Sequence, residues 1–351
     1  MTLWIDGNAV RKLTIVDVAR EAGVSIKTVS RVLNHQTGVG PETRARVARI
    51  IQVHDFKPNA AARALPGTRS YSLGFLTRSI YSHYYFNGLH AGVMRGCRRH
   101  GYHMVLETIE DFVSDGEEAF VRRLRASHFD ALILAPPVSD MPEIMTILDK
   151  MDLGYVRISP TLELERAPFA FMNDQDASYD IMQHLWDLGH RHIAYLGFRD
   201  TGASADRYAG YARFFRDKGL APPYARIELP VTTSASAFRA GEDLVTRKDR
   251  PTAIFAGTDF LAMGVMAAAA KHRLTIPSDL SLVGFDDSPG SESVWPPLTT
   301  IRQPIEDIGE AAVDLLVAGL GGDLADRTKT ARRLDYSLIV RESTAPPPDA
   351  N

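Results

Sequence analysis

The strongest constraint on the fold lies near the N-terminus, where apolar residues recur at helical spacing between two helix-ending signals. Thr14 is a good N-cap, and Gly23 supplies the left-handed conformation that ends a helix. Between them, four apolar residues at i, i+3, i+4 and i+7 share one helical face: Ile15, Val18, Ala19 and Ala22. The segment therefore predicts a short amphipathic helix that needs a partner to cover its apolar side.

A second short helix follows at once. Ser25 is a second N-cap, and the residues predicted to pack inward after it are Val29, Val32 and Leu33. The residues left on the outer face are Ile26, Lys27, Ser30, Arg31 and Asn34. Two short helices joined by a tight glycine turn make a helix-turn-helix, whose second helix enters the major groove of DNA. Pro41 starts a third helix with Val47, Ile50 and Ile51 facing inward.

The outer face of the second helix carries chemistry that suits base edges. Arg31 and Lys27 can donate to guanine, and Ile26 can contact a thymine methyl group. Thr14 and Ser25 cap helices, and their hydroxyls or the nearby amides can also hold phosphates. An isolated surface arginine would need no such explanation, but here three suitable residues share one exposed face.

Charge supports a contact with nucleic acid at this end of the chain. Eleven Lys or Arg residues and four acidic residues lie between Arg11 and Arg69, a net charge of +7 in a chain whose formal net charge is −3. A basic head joined to an acidic body suggests that only the head meets a polyanion.

Two strings in this head, TIVDVAREAGVS from Thr14 and TVSRVLN from Thr28, closely resemble the headpiece of the lactose/galactose repressor family of bacterial transcription regulators. The resemblance implies a homodimer that binds a near-palindromic double-stranded operator. The residues assigned to DNA in the headpiece are Thr14, Ser25, Ile26, Lys27, Thr28, Ser30, Arg31 and Asn34.

The segment after the third helix looks like the linker of that family. Pro58 breaks the preceding helix, Asn59 caps a new one, and Pro66 ends it within two turns, too short to be stable alone. The resemblance implies that two such hinge helices meet in the minor groove, with Asn59, Ala62 and Leu65 on DNA. Leu65 would wedge between the central base pairs. Ordinary linker packing is the alternative for Leu65.

The rest of the chain alternates short apolar strands with helical segments, which predicts parallel sheets covered by helices on both faces. The predicted strands are 72–77, 103–107, 131–135, 155–158, 169–172, 192–197, 253–256 and 281–285. The predicted helices include 85–100, 176–188, 206–218 and 260–272. This length suggests two doubly wound α/β lobes, and the resemblance implies a periplasmic-binding-protein-like body with crossovers between them.

The expected domain organisation follows from these signals. It comprises an extension (1–12), a small all-α helix-turn-helix domain (13–57), a hinge (58–68), a two-lobed ligand-binding domain (69–344) and a tail (345–351). The first lobe is expected at about 71–172 and 302–332, and the second at about 173–301 and 333–342.

Ligands of such sheets bind beyond the carboxyl ends of the strands, so polar residues there are candidates. Asp286 matches a family position that receives sugar hydroxyls, although a turn or capping role is possible. Arg207 matches a family arginine that forks onto adjacent hydroxyls, and a salt bridge is its alternative. Gln303 lies in a crossover that faces the family's cleft. Tyr85 and Phe86 match an aromatic pair at the pocket, where core packing is an alternative for Phe86.

Three further residues complete the candidate ligand site. Thr258 precedes a predicted helix as an N-cap, and its contact with ligand is left open. Arg157 and Arg78 end strands, so the cleft is expected to hold three arginines, with Arg207. The effector is then a mono- or oligosaccharide or a sugar acid, and a neutral sugar is favoured. Trp295 is expected in the core or at the rim.

Several classes of protein are disfavoured. No motif of a nucleotide-binding or catalytic site is present, so no enzyme, cofactor or catalytic residue is predicted. The single cysteine, Cys97, excludes an internal disulfide and a multi-cysteine metal site, and no metal site is predicted. The start lacks a secretory signal and no apolar run could span a bilayer, so the expected location is the cytoplasm, in association with the nucleoid.

The predicted function is sequence-specific repression that a small sugar-like effector relieves. One alternative is a repressor that needs its ligand as corepressor. A sugar-binding protein without DNA function is a second alternative, against which the basic head argues.

Overall fold

The structure is a computed structural model that describes residues 14–33, 37–54, 56, 69–78, 84–199, 202–230, 233–320 and 330–348. The chain divides into two compact units, one through Tyr71 and one from Ser72 onward. Within these ranges, no helix is long and apolar enough to cross a bilayer.

The first unit contains three helices: α1 (Ile15–Ala22), α2 (Ile26–Leu33) and α3 (Pro41–Val53). The Thr14 hydroxyl accepts from the Asp17 amide while the Asp17 carboxylate accepts from the Thr14 amide, and this capping box starts α1. Gly23 ends α1 with φ 63° and ψ 36°, the predicted left-handed conformation. The Ser25 hydroxyl accepts from the Thr28 amide at 3.2 Å and so caps α2. The predicted helix-turn-helix is confirmed.

The apolar faces of these helices meet in one small core. Its buried members are Val18, Ala19, Ala22, Val29, Val32, Val47, Ile50 and Phe56. Phe56 lies beyond α3 and was not predicted in this core, whereas Ile51, predicted to face inward, is only partly buried. Because the core uses one face of each helix, the polar faces are left outward.

The second unit contains twelve described strands. They are β1 (Ser72–Thr77), β2 (His103–Thr108), β3 (Ala131–Leu134), β4 (Tyr155–Ile158), β5 (Phe169–Phe171), β6 (Ile193–Phe198), β7 (Ile227–Leu229), β8 (Ala253–Ala256), β9 (Ser281–Val283), β10 (Thr300–Arg302), β11 (Ala331–Arg333) and β12 (Ser337–Ile339). Every predicted strand is present, with bounds that differ by at most two residues. Four strands of three residues each were not predicted: β7, β10, β11 and β12.

The strands form two parallel sheets, one in each lobe. The first has the order β11-β5-β4-β3-β1-β2 and the second the order β7-β6-β8-β9, while β10 and β12 form an antiparallel pair. A separate apolar core lies against each sheet. The predicted fold class, a helix-turn-helix head and a two-lobed α/β body, is confirmed.

Helices cover these sheets. They are α4 (Tyr84–Arg99), α5 (Glu110–Asp115), α6 (Glu117–Ser127), α7 (Pro142–Lys150), α8 (Asp174–Asp187), α9 (Gly202–Asp217), α10 (Ser234–Val245), α11 (Asp259–Lys271), α12 (Pro289–Ser293) and α13 (Ile305–Leu320). Helix α8 begins two residues before its predicted start because Asn173 caps it, accepting from the Asp176 amide at 3.0 Å.

The chain passes between the lobes three times. It does so between β5 and α8, between β10 and α13, and between β11 and β12. Isolated bridges, Val283 to Thr299 and Asp286 to Arg302, tie the β10 segment to the second sheet. Strand β11 ends at Arg333, so this residue lies in the first sheet, one residue beyond the expected boundary.

Helices α4 and α13 cross closely because glycines on α4 remove the side chains between them. A Cβ atom at Gly92 would lie 1.9 Å from the carbonyl oxygen of Glu306. Tyr85 lies at the start of α4, and Gln303 lies two residues before α13. The close crossing therefore fixes the spacing between two of the predicted ligand residues.

Candidate nucleic-acid interface and effector site

The outer face of α2 has the composition expected of a reading helix. Ile26 is 48% exposed despite its apolar side chain, and Lys27 beside it is exposed. Arg31 and Ser30 are half-buried on the same helix. Ile26, Lys27, Ser30 and Arg31 thus lie on a helix face that the small core of this unit leaves at least partly exposed.

Three of the proposed DNA contacts, Thr14, Ser25 and Thr28, also have a structural role. The Thr14 hydroxyl donates to Asp17 at 2.6 Å, and the hydroxyls of Ser25 and Thr28 lie 2.9 Å apart. Four other residues predicted to contact DNA lie outside the described residues: Asn34, Asn59, Ala62 and Leu65. Their proposed roles remain predictions.

In the second unit, Arg207 is the centre of the candidate effector site. Its Nε donates to Asp174 Oδ1 at 2.8 Å, and its Nη1 donates to the carbonyl oxygen of Gly257 at 2.5 Å. The guanidinium carbon lies 3.7 Å from the centre of the Phe285 ring, a cation–π contact. Burial of the arginine with these partners fixes its orientation.

Asp286 lies next to this arginine, directly after the second sheet. Its Oδ1 accepts from Gln303 Nε2 at 2.6 Å and lies 3.8 Å from Arg207 Nη1. Its φ of 119° is rare for a residue with a side chain and holds the carboxylate away from the regular strand direction. Burial raises the pKa of Asp286 to about 7; Arg207 opposes the rise and Asp259 adds to it. The structure thus brings Arg207, Asp286 and Gln303 together.

Asp259, at the start of α11, is hydrogen-bonded to the segments on either side of this group. Its two carboxylate oxygens accept from the Thr300 hydroxyl and the Ser288 amide, each at 2.6 Å. Burial raises the pKa of Asp259, and these hydrogen bonds oppose the rise. The preceding residue, Thr258, caps α11 by accepting from the Leu261 amide at 3.2 Å. The predicted capping role of Thr258 is confirmed, while its contact with a ligand stays a prediction.

The first lobe contributes Tyr85 to the same site. Burial raises its pKa to about 12, with a hydrogen bond from Ser159 opposing and the charge of Asp174 adding to the rise. These influences place the phenol near the acidic residues of the second lobe. Phe86, the next residue, instead stacks on Phe75 with ring centres 5.5 Å apart. The contact of Phe86 is therefore core packing, which was the alternative to a ligand contact.

The expectation of three arginines in the cleft is corrected for Arg157. Its side chain is fully buried, and its donors bind the carbonyl oxygens of Ser139, Glu163 and Leu162 at 2.6 to 2.7 Å and Asp140 Oδ1 at 3.0 Å. The guanidinium therefore fastens the loop after β4 to the segment after β3. The sequence pattern located the strand end but not these carbonyl acceptors.

Two other expectations also change. Arg78 is exposed at the end of β1, and among the described residues it has no contact with the Arg207 group. Trp295, expected in the core or at the rim, is 83% exposed, which excludes the core and leaves the rim as a prediction. Asp174 and Asp259 were missed, although both follow strands of the sheets, where polar residues were sought.

The comparisons with known proteins agree with both units. The model described as "Bacterial regulatory proteins, lacI family" matches residues 14–59, and "Periplasmic binding protein-like domain" matches residues 182–344. Catabolite control protein A of Priestia megaterium is 31% identical over 95% of this chain and 99% of its own length. The chain belongs to the lacI family of bacterial regulatory proteins.

Other members extend this likeness over the whole chain. The transcriptional repressor PurR of Vibrio campbellii is 30% identical over 94% of this chain and 98% of its own length. A lac repressor dimer bound to operator and the anti-inducer ONPF has a TM-score of 0.74 and 27% identity, covering 95% of this chain and 100% of that one. A complex of the regulator CelR with cellobiose has a TM-score of 0.70 and 26% identity, covering 94% and 99%.

These relatives are named as regulators and repressors. This lacI-family chain is accordingly a DNA-binding transcription regulator with a ligand-binding domain, and it is not an enzyme. The sequence-based identification of the family and of the function is confirmed.

Proposed function

We propose that this regulator binds a near-palindromic operator as a homodimer and leaves it when a small hydroxyl-bearing effector binds its body. The observation that carries the proposal is the buried group of Arg207, Asp286 and Gln303, which lies in the second unit of a chain with a helix-turn-helix. This group lies outside the helix-turn-helix, so recognition of DNA bases does not account for it.

The chemistry of this group suits a carbohydrate. A sugar hydroxyl both donates and accepts a hydrogen bond, and here a carboxylate acceptor lies 3.8 Å from a guanidinium donor. Tyr85 adds an aromatic ring from the other lobe, which suits the apolar face of a sugar. Mono- and oligosaccharides and sugar acids all carry such hydroxyls. The cellobiose complex of the CelR neighbour supports this class of ligand.

On the DNA side, we propose that α2 enters the major groove with Ile26, Lys27 and Arg31 toward the bases. Thr14, Ser25, Thr28 and Ser30 would contact the phosphates or bases nearby. From the sequence, Asn34 extends this surface, while Asn59, Ala62 and Leu65 belong to a hinge helix in the minor groove. Phosphate contacts by the basic head would make binding steeply dependent on salt.

Release follows if the effector binds the operator-free form more tightly than the operator-bound form, since a ligand shifts an equilibrium only by this difference. Closure of the lobes over Tyr85 and Asp286 would change how the two hinges pair.

Operator selection followed by an effector screen tests the proposal. The full chain is first used to select binding sites from a random DNA library, and then fluorescence anisotropy measures operator binding against a panel of carbohydrates and sugar acids. We expect enrichment of a near-palindrome and loss of binding with one class of compound. Asp286→Ala should abolish this response and keep operator affinity. No enriched sequence would refute operator reading, and a ligand that instead tightens binding would refute release.

A further inference from the structure

We infer that the effector site selects an uncharged, hydroxyl-bearing ligand over an anionic one, and that Asp174 sets this selectivity by occupying Arg207. The inference rests on the proposed function, because it names the class of effector for the same site. It narrows the sugars and sugar acids considered above to neutral sugars.

The first argument is the charge around the site. Two further carboxylates, those of Asp174 and Asp259, raise the pKa of the buried Asp286, and Arg207 pairs with Asp174 at 2.8 Å and with Asp286 at 3.8 Å. When all are ionised, the group carries an excess of negative charge in a buried place. An incoming carboxylate or phosphate would add to this excess.

The neighbouring cations do not correct the balance. Arg302 and Arg341 both pair with Asp287, at 2.6 Å each, so their charge is used by a carboxylate outside the group. Arg157, which the sequence placed in the cleft as a further cation, is instead buried against backbone carbonyls.

The second argument is how Arg207 is held. Strong recognition of a carboxylate uses two parallel N–H groups of a guanidinium. Asp174 takes Nε and the Gly257 carbonyl takes Nη1, so each edge of the fork has one nitrogen engaged. Within the described parts of the chain, Nη2 has no hydrogen-bond partner. A single free nitrogen suits a neutral hydroxyl, which can accept one hydrogen bond from Nη2, better than a carboxylate, which is bound strongly by two parallel N–H groups.

Asp174 is therefore a positioning residue with a consequence that can be measured. Asp174→Asn removes one negative charge, while the amide oxygen can still accept from Nε. The matched control is Asp206→Asn, which removes the same charge one residue from Arg207. Asp206 accepts from Gln175 at 2.9 Å and is among the residues that raise the pKa of Asp174, after burial, but has no hydrogen bond to Arg207 among the described residues.

The experiment measures binding of matched pairs to the full chain by calorimetry: D-glucose with D-glucuronate, D-galactose with D-galacturonate, and cellobiose with cellobionate. In the wild type we expect the acid of any pair that binds to be at least about 100-fold weaker than its neutral partner. In Asp174→Asn this ratio should fall by about tenfold or more, and in Asp206→Asn it should stay near the wild-type value. Retained operator binding shows that each variant is folded.

A sulfate titration at constant ionic strength tests the inference even if none of these sugars binds. Thermal stabilisation by sulfate should be larger in Asp174→Asn than in the wild type, and the added Arg207→Met change should remove the gain. An acid that binds the wild type as tightly as its neutral partner would overturn the inference, as would equal sulfate responses in wild type and Asp174→Asn. If all six compounds fail while the sulfate difference is present, none of these sugars is the effector and the role of Asp174 stands.

Discussion

Replacing Asp286 with asparagine is expected to stabilise the ligand-free protein above neutral pH. Burial raises the pKa of this carboxyl from 3.8 to about 7, and its side chain is only 17% exposed. A group whose pKa is raised by folding contributes stability below its unfolded pKa, and this contribution is lost as the pH rises through the folded pKa. The whole rise corresponds to about 4 kcal/mol, which is an upper limit for the gain.

Asparagine is a close mimic of the protonated acid at this position. Its side-chain oxygen can still accept from Gln303, and asparagine tolerates positive φ better than most residues. The stability difference between Asp286→Asn and the wild type should therefore be small below about pH 4, near the unfolded pKa, should grow between about pH 4 and pH 7, and should level off by about pH 8. Thermal unfolding measured at several pH values without effector tests this. A variant no more stable than the wild type at pH 8 would refute the reasoning.

The adjacent carboxylate provides a control of opposite sign. Although burial opposes it, hydrogen bonds from Arg341 and Arg302 lower the pKa of Asp287. Its contribution to stability is present above its unfolded pKa and is lost as the pH falls through the folded pKa. Asp287→Asn should therefore destabilise the protein at pH 8, by about 3 kcal/mol for a buried pair with one partner removed. Equal effects of the two substitutions would mean that the site does not distinguish these neighbours.

Three further outcomes are expected. Gly92→Ala should lower the free energy of unfolding by about 1 to 3 kcal/mol in urea titrations, because its Cβ would lie 1.9 Å from a carbonyl oxygen; unchanged stability would argue against the close crossing. Arg31→Ala should relax the base preference at one position of each half-site in library selection, and an unchanged preference would exclude it from base reading. Leu65→Ala should weaken specific binding and spare non-specific binding in gel-shift assays, whereas equal losses would argue against a wedge.

The head of the protein was predictable because its signals are local. Thr14 caps a helix through a residue three positions away, and Gly23 ends it through its own backbone freedom. Ser25 repeats the capping rule for α2. Each helix start or end depends on a few consecutive residues, so the local sequence contains nearly all the information needed to predict these helices.

The effector site was predictable only in part, because its partners come from distant parts of the chain. The sequence placed Asp286 after a strand, and the resemblance to the lactose/galactose repressor family pointed to Arg207 and Gln303, but the acceptors of Arg157 lie up to 18 residues away. Asp174 lies 33 residues from the arginine that it holds. Whether an arginine faces a ligand or is held inside the protein depends on where the fold leaves backbone carbonyl oxygens without a hydrogen bond. The spacing of residues in the sequence does not show these positions.

Asp286 and Asp287 show how this non-local information separates two identical neighbours. Both have positive φ, at 119° and 51°, and the turn sends one carboxylate toward Arg207 and the other toward Arg341. Asp287 is satisfied inside the protein, so a ligand can add little to it. Asp286 keeps a raised pKa because the effect of burial exceeds the opposing effect of Arg207, which also pairs with Asp174. A hydrogen bond donated by an effector hydroxyl to the carboxylate of Asp286 would favour the ionised form of Asp286. The affinity for the effector should then rise as the pH increases through about 7.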